Sequence, residues 1–452
     1  MIKNEIDFIK NEFKNFIFSI KRVFRFKNKY KKYTTKKILV AGGYGYGNTG
    51  DEAQCAATLK LLSERYNDYQ IVNLTPNIEY SKKQHPNYIH EYASRVLFFN
   101  ADRECDCFNF DNSFLMKIVF LLKSMLIILN AFLVRAELPT FFINSEIAKF
   151  LYELKECSLF YFCGGGYLTG STLSRLWDGI VVCKACEILR TPVVMSGQTI
   201  GVWGNKFNKI YAKWGFKKVK IITVRDEDFS LNDLKQIGLS GDNYFATHDD
   251  ALFCEKSTQK QVSETNYITV NFHYWGMNNT EKDVYIDKLH KIISFITENT
   301  NFNIIFIPMH FTDKYSFDDY IKKYPNNRFK CFDYDYDYRK IRRVIADSKI
   351  CITMKHHPII FAMGENVPVL SLALSNYYIH KNEGALAQYK QEKFSLNFEN
   401  KNYIEEFKEK FNYILNNEDN IKLIIMQRKI VLHKRKEQFL QLVDKIIGVI
   451  NG

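Results

Sequence analysis

The sequence predicts an α/β fold of two Rossmann-like lobes, and three observations carry that prediction. Apolar strands at residues 38–42, Leu159 to Phe162 and Val193 to Met195 each run directly into a glycine-containing loop. A second series of short apolar strands, Tyr267 to Phe272, Asn303 to Ile307, Ile350 to Thr353 and Pro368 to Leu372, alternates with helical stretches such as Lys282 to Thr297 and Tyr338 to Ala346. Strand and helix in alternation is the pattern of parallel sheets wrapped by helices. The third observation is size: 452 residues exceed what one hydrophobic core organises, and 46% apolar with 25% charged residues supply enough for two. The boundaries that follow are a basic segment over 1–37, a first lobe over 38–264 with a helical insertion at 80–150, a second lobe over 265–400, and C-terminal helices over 401–452 expected to cross back to the first lobe.

In chain order, residues 1–26 set Ile2, Ile6, Ile9, Phe13, Phe16, Ile17, Ile20 and Phe24 at three- and four-residue steps. Lys3, Lys10, Lys14, Lys21 and Arg25 occupy other faces, so the segment reads as an amphipathic helix. Residues 1–37 hold twelve lysines and arginines against three acids, which puts nine of the thirteen net positive charges in this one segment. The remaining body is close to neutral, and that argues against a nucleic-acid groove. Such a segment suits either an anionic leaflet, where each nearby cation adds roughly 1 kcal/mol of attraction, or the protein's own core with the basic tail solvated. The expected location is the cytoplasm, peripheral on the inner face of the plasma membrane.

The first glycine loop, Gly43-Tyr44-Gly45-Tyr46-Gly47-Asn48-Thr49-Gly50-Asp51-Glu52, leads into a helix through Leu62. A strand, a glycine loop and a helix start bring backbone amides close to an anion or polar ligand, while Asp51 and Glu52 also complement the helix dipole. Cys163-Gly164-Gly165-Gly166 and Ser196-Gly197-Gln198-Thr199-Ile200-Gly201 repeat the pattern. Strands of a parallel sheet end on one edge, so the loops converge on one crevice. The strand ends of the second lobe carry His273, then His310 and Asp313, then Lys355, His356 and His357, then Asn376. The two sets are expected to face each other across an interlobe cleft, with Gly43 to Glu52 opposite Lys355 to His357.

Within the insertion, Phe114 to Ala136 is apolar apart from Lys117, Lys123, Asn130 and Arg135. It reaches the ~20 residues of a membrane span, but an interior lysine costs roughly 2.5–3.5 kcal/mol near a bilayer centre. The expectation is a helix that caps the core or lies in the lipid interface with its lysines snorkelling. The ten cysteines are scattered through apolar stretches with no cleavable signal before them, as reduced core thiols would be. Cys183 and Cys186 form a lone C-x-x-C without the two further ligands of a structural zinc site, so no metal is expected.

Taken in order, Gly43 to Glu52, Gly164 to Gly166, Gly197 to Gly201, Val224-Arg225-Asp226-Glu227 with a helix ending at Gly238, and Met354-Lys355-His356-His357-Pro358-Ile359-Ile360-Phe361-Ala362 resemble the marks of the polysaccharide pyruvyl transferases. The resemblance covers roughly residues 38–400. It implies a GT-B-like arrangement of the lobes, phosphoenolpyruvate as donor substrate and no further cofactor. It also implies an acceptor, a cell-surface glycan or its lipid-linked precursor, that receives the pyruvyl group as a ketal on paired hydroxyls. Where the family usually carries Arg-Leu-His, this chain has Lys355-His356-His357, which keeps the charge but loses the fork that grips a carboxylate or phosphate with two nitrogens.

From this resemblance His357 is the candidate acid/base, or else a histidine satisfying a backbone carbonyl. Arg225, sharing the load with Lys355, would hold the donor carboxylate or phosphate, with an ion pair to Asp226 as the plain alternative. His310 and His356 would orient phosphate or acceptor. Gly47, Asn48, Gly50, Asp51 and Glu52 would line the acceptor side, an acid there serving as base, and Gly165, Gly166 and Gln198 would approach the ligand. Asn376, Lys381 and Asn382 would reach the donor from beyond the fourth strand. Two other functions share this architecture: a GT-B glycosyltransferase using a nucleotide sugar, and a noncatalytic membrane-peripheral subunit of a glycan-assembly complex.

Overall fold

The computed structural model describes residues 36–92, 114–274, 277–333, 335, 337–374 and 376–448. The amphipathic helix expected at the N-terminus lies outside the described residues, as do Cys105 and Cys107. In the first half the elements are β1 (Lys37–Ala41), α1 (Thr49–Arg65), β2 (Gln70–Thr75), α2 (Ile78–Gln84), β3 (Ile89–Tyr92), α3 (Phe114–Arg135), α4 (Ser145–Glu156), β4 (Leu159–Phe162), β5 (Gly165–Thr169), α5 (Leu173–Leu189), β6 (Val193–Gly201), α6 (Lys206–Phe216), β7 (Ile221–Val224), α7 (Ser230–Gln236) and β8 (Tyr244–Ala246). The second half runs β9 (Tyr267–Asn271), α8 (Asn279–Asn299), β10 (Asn303–Phe306), α9 (Phe311–Lys323), β11 (Phe329–Cys331), α10 (Tyr338–Ala346), β12 (Cys351–Thr353), α11 (His356–Gly364), β13 (Val369–Ala373), α12 (Asn376–Ala387), β14 (Ser395–Asn397), α13 (Tyr403–Asn416) and α14 (Glu418–Ile447).

Two parallel sheets result. The first has the order β3-β2-β1-β4-β6-β7-β8 with β5 also paired to β6, and the second has the order β11-β10-β9-β12-β13-β14. Residues of the central strands are buried on both faces, and their alternation assigns them to different cores. Leu39, Phe160 and Met195 join a core covered by α3, α4 and α5, whereas Ile38, Val40, Tyr161 and Val194 join a core covered by α1 and the end of α14.

Two local differences from the sequence expectation have clear causes. The stretch from residue 80 contains β3, whose Ile-His-Glu-Tyr sequence carries little apolar signal yet pairs in register with β2 at the sheet edge. The second and third glycine loops are largely strand: β5 pairs β6 through a register shift between Gly165 and Leu168, and β6 pairs β7 through one between Met195 and Gln198, irregularities that glycines permit. Cys183 and Cys186 are buried on α5, where burial pushes both thiols up.

The last helix ties the lobes together. α14 begins on the second core with Ile421, Ile425 and Leu432, and ends on the first with Phe439, Leu440 and Val443. At that end Asp444 accepts hydrogen bonds from Arg65 (Nη2, 2.6 Å) and from the Tyr66 hydroxyl (2.9 Å). Midway, the buried Lys436 ammonium donates to Asp250 Oδ1 and to Ser196 Oγ, each at 2.7 Å. Lys436→Met would strand the Asp250 carboxylate without its cation in a dry site, a change expected to remove about 3–5 kcal/mol of stability and to appear as a lower urea midpoint.

Candidate active site

Both sheets change direction at a switch point, between β1 and β4 and between β9 and β12, where open parallel sheets form their ligand crevices. The loops leaving these points meet. The Thr49 N–H donates to the Met309 carbonyl at 3.0 Å. Gly50 lies so near His357 that a β-carbon there would stand 1.9 Å from the imidazole Cγ, so only glycine fits. The sequence expectation that these segments face one another is therefore realised as direct packing.

Several sequence candidates turn out to build the crevice from behind. Glu52 is fully buried; its Oε1 accepts the Gly45 N–H at 2.7 Å and its Oε2 lies 3.2 Å from His85 Nε2, which pins the first glycine loop. Gly45 itself has φ +92°, a left-handed backbone that suits glycine, and Gly47 shares this region with φ +78°. The Asn48 side chain caps α1 by accepting the Gly50 N–H at 3.0 Å. Gln198 donates to the carbonyls of Cys163 (2.6 Å) and Ser196 (3.1 Å), and Asn382 donates to Met354 O (3.0 Å) and Ser371 Oγ (2.9 Å). These amides are buried, and burial obliges them to spend their N–H groups on the surrounding backbone. Gly165 packs against the Tyr167 ring, and Asn376 contributes the first residue of α12, its side chain outside the described residues.

The centre of the site is a residue that the sequence reading missed. Asp249, fully buried, caps a 3-10 turn with Oδ1, which accepts the Ala251 N–H and the Gln54 amide, each at 2.8 Å. Its Oδ2 lies 2.8 Å from Arg225 Nε and accepts from His356 Nε2 at 3.1 Å, with His357 Nε2 4.0 Å away. Burial opposes ionisation of Asp249, but the Arg225 guanidinium and the His356 hydrogen bond overcome it and hold the carboxyl well below the usual carboxylate range. The preceding His248 takes φ +79°, a costly backbone for a side chain of that size, and this turn aims Asp249 inward. Arg225 therefore pairs with Asp249 and not with Asp226, whose Oδ1 accepts the N–H groups of Phe229 (2.7 Å) and Ser230 (2.9 Å).

Around this centre the polar groups divide by charge. Arg225 Nη1 and Lys381 Nζ both come within 3.8 Å of where a Gly166 side chain would begin, so the missing side chain leaves room beside two cations. Asp51 lies 3.8 Å from His357 Nε2. Burial raises its carboxyl to about 6 against the pull of Lys381, Arg225 and Arg175. Burial lowers His356 to about 3 and holds His357 well below the ordinary imidazole range, so both rings are neutral at pH 7. Arg225 Nη2, His356 Nδ1 and His357 Nε2 are buried without a hydrogen-bond partner.

Lys355 goes elsewhere. Its ammonium lies 2.5 Å from Asp313 Oδ1, and Asp313 Oδ2 accepts the Met309 N–H at 2.9 Å. The pairing has a simple cause: Asp313 is fully buried and needs a cation, so the lysine offered by the chain is drawn to it. His310 caps α9 beside this pair, and burial together with Lys355 lowers its imidazole. His273, 3.4 Å from the Tyr378 hydroxyl, is lowered to about 4 by the same two influences. The cation next to Arg225 is thus Lys381. Asp249 had one legible signal, three ionisable residues (His248, Asp249, Asp250) after a strand and before Ala251-Leu252-Phe253, since charges inside an apolar run must be paired when buried. Arg175, 5.4 Å over the Tyr46 ring at the rim, had none.

The sequence matches the family described as Polysaccharide pyruvyl transferase over residues 48–376, a span that includes Asp51, Arg225, Asp249 and Lys355 to His357. No curated protein matches it. Among solved structures it is similar to MnaA of S. aureus in a UDP co-structure, at 11% identity and TM-score 0.56 over 92% of this chain and 98% of the other. It is also similar to the UDP-GlcNAc 2-epimerase of Neisseria meningitidis bound to UDP-GlcNAc, at 12% identity and TM-score 0.53 over 89% and 100%. The enzyme of the same name from Methanocaldococcus jannaschii aligns at 12% identity and TM-score 0.52 over 84% and 92%. Likeness at these identities speaks for the fold, the GT-B pairing of two parallel α/β lobes. Asp249→Asn would leave the Arg225 guanidinium buried beside a neutral amide, and a stability loss of about 3–5 kcal/mol is expected in denaturant unfolding.

Proposed function

The chain belongs to the polysaccharide pyruvyl transferase family and is a transferase with a glycan acceptor, and from that premise we propose that it moves the pyruvyl group of phosphoenolpyruvate onto two hydroxyls of a cell-surface glycan or its lipid-linked precursor. The observation that supports this reading is the grouping of unmet polar atoms, Arg225 Nη2, His356 Nδ1 and His357 Nε2, about Asp249 and beside Lys381 and the bare Gly166. Such a group suits a small, strongly anionic donor.

In this reading Arg225 and Lys381 hold the donor's carboxylate and phosphate. A triply charged donor also reverses the balance at His357: burial keeps the empty site's imidazole neutral, and the arriving anion favours its protonated form. His357 then delivers that proton to the methylene carbon of the enol phosphate. The electron-poor carbon left behind takes the first acceptor hydroxyl, whose proton passes to Asp51. Phosphate departs with the C–O bonding pair and carries off the proton held by Asp51, the second hydroxyl adds, and the now neutral His357 takes its proton. The products are a carboxylate-bearing ketal and inorganic phosphate, which carry the same total charge as the donor and the neutral diol.

The deciding experiment incubates the protein with phosphoenolpyruvate and a panel of lipid-linked and nucleotide-linked glycans, following phosphate release and a pyruvyl mass gain. Release of a nucleoside diphosphate from a sugar nucleotide, with no response to phosphoenolpyruvate, would favour a glycosyltransferase and overturn the proposal. His357→Ala is expected to lower kcat by about 10²–10⁴-fold, the usual contribution of a placed acid/base, in single-turnover assays. Because kcat/KM counts the free enzyme, in which His357 must gain a proton while Asp51 is ionised, it should break downward as pH rises through about 6, the value of Asp51. Asp51→Asn should erase that break from the pH profile.

A further inference from the structure

One side of α3 is accounted for by the first lobe: Phe120, Ile127, Ala131 and Val134 are buried in its core, and the Asn130 side chain exchanges hydrogen bonds with the Phe141 backbone at 2.8 and 2.9 Å. The other side is apolar and open. Phe114 is 78% exposed, Leu122 58%, Met125 67% and Phe132 52%, spaced so that they form one stripe along the helix. α6 adds the exposed Ile210 and Trp214. The two helices are joined through Trp177, on which Phe120 (5.2 Å) and Tyr211 (5.5 Å) both pack, and Tyr211 in turn stacks on Trp214.

The charges on these helices have one sign. α3 carries Lys117, Lys123 and Arg135, α6 carries Lys206, Lys209 and Lys213, and neither holds an Asp or Glu. A protein partner would have to cover these lysines, which interface cores avoid. A bilayer surface takes them readily, because long aliphatic stems lie along the acyl boundary while the ammonium groups reach anionic headgroups. We propose that this face of the first lobe docks on an anionic lipid bilayer, with α3 lying flat in the headgroup region. Spanning is excluded by the buried side of the helix, which would have to leave the core. α5, which packs between the two helices and the sheet, carries Arg175 at the rim of the cleft, so docking holds the site close to the lipid surface. The inference concerns location and stands whichever donor the cleft binds.

The test uses the full chain and phosphatidylcholine vesicles with or without about one-third phosphatidylglycerol, at low and high salt. The wild-type chain should sediment with the anionic vesicles only, and less as salt rises, since screening sets in at a Debye length of ~8 Å at physiological salt. Leu122→Glu with Met125→Glu, both at exposed positions, should cut the bound fraction at least tenfold while circular dichroism and enzymatic turnover on a soluble acceptor stay unchanged. A second readout does not depend on that variant: headgroup-depth quencher lipids should dim the wild-type fluorescence, and Trp214→Phe should remove most of the quenching. Binding of the double variant equal to wild type would overturn the proposal and assign any attachment to residues 1–35. So would a wild-type chain that ignores anionic vesicles, or one that dimerises through this face and becomes monomeric in the double variant without ever binding lipid.

Discussion

A carboxylate shut away from water must be paired, and the pairing of Asp249 organises everything around the cleft. Four separate pieces of chain converge on its two oxygens: the Gln54 amide from α1, the Arg225 guanidinium from the end of β7, the N–H of its own 3-10 turn, and the His356 ring from α11. The first three belong to one lobe and the fourth to the other. The registration of the two lobes at the cleft is thus set by an electrostatic requirement and not by apolar fit alone. The same pairing orients Arg225, turns the His356 ring so that its Nδ1 faces away from the carboxylate, and places His357 where no neighbour meets its Nε2.

This arrangement also explains why the site holds so little net proton charge before a ligand arrives. Arg225 is committed to Asp249, Lys355 is committed to Asp313, and burial keeps the histidines neutral. In the function proposed above, these neutral imidazoles gain a proton only when an anion arrives. A site built from already charged histidines would need further buried acids to balance them, at a greater desolvation cost.

Much of this was legible in the chain. Strands such as β1 and β9 are apolar on both faces, which marks them as central parallel strands, and glycine after a strand marks a place where backbone must come close to something. What that something is was not legible. Near Gly50 it is the His357 ring; near Gly165 it is the protein's own Tyr167; near Gly166 it is the cationic pair. Polar residues in glycine loops look alike in sequence whether they point to the crevice, as Asp51 does, or back into the frame, as Glu52 and Gln198 do, because one step swings a side chain about 100° around a helix and to the opposite face of a strand. Lys355 and Lys381 were likewise interchangeable on paper. Only the buried Asp313, far away in sequence, decides which lysine is drawn off and which remains beside Arg225.

The helix that straps the lobes has a consequence for how the chain reaches its native state. The faces of Ile38, Val40 and Tyr161 are completed by Phe439 and Val443, and Arg65 finds its carboxylate 379 positions later. A ribosome would release all of the first sheet, and then the whole second lobe, before these partners emerge. During that interval the first lobe has one finished face and one apolar face without its cover, while the second can close most of its own core. Contacts so distant in sequence form late and expose sticky surface while they wait. Assembly therefore ends at the beginning of the chain: the lobe translated first is the lobe completed last, sealed when Lys436 and Asp444 arrive.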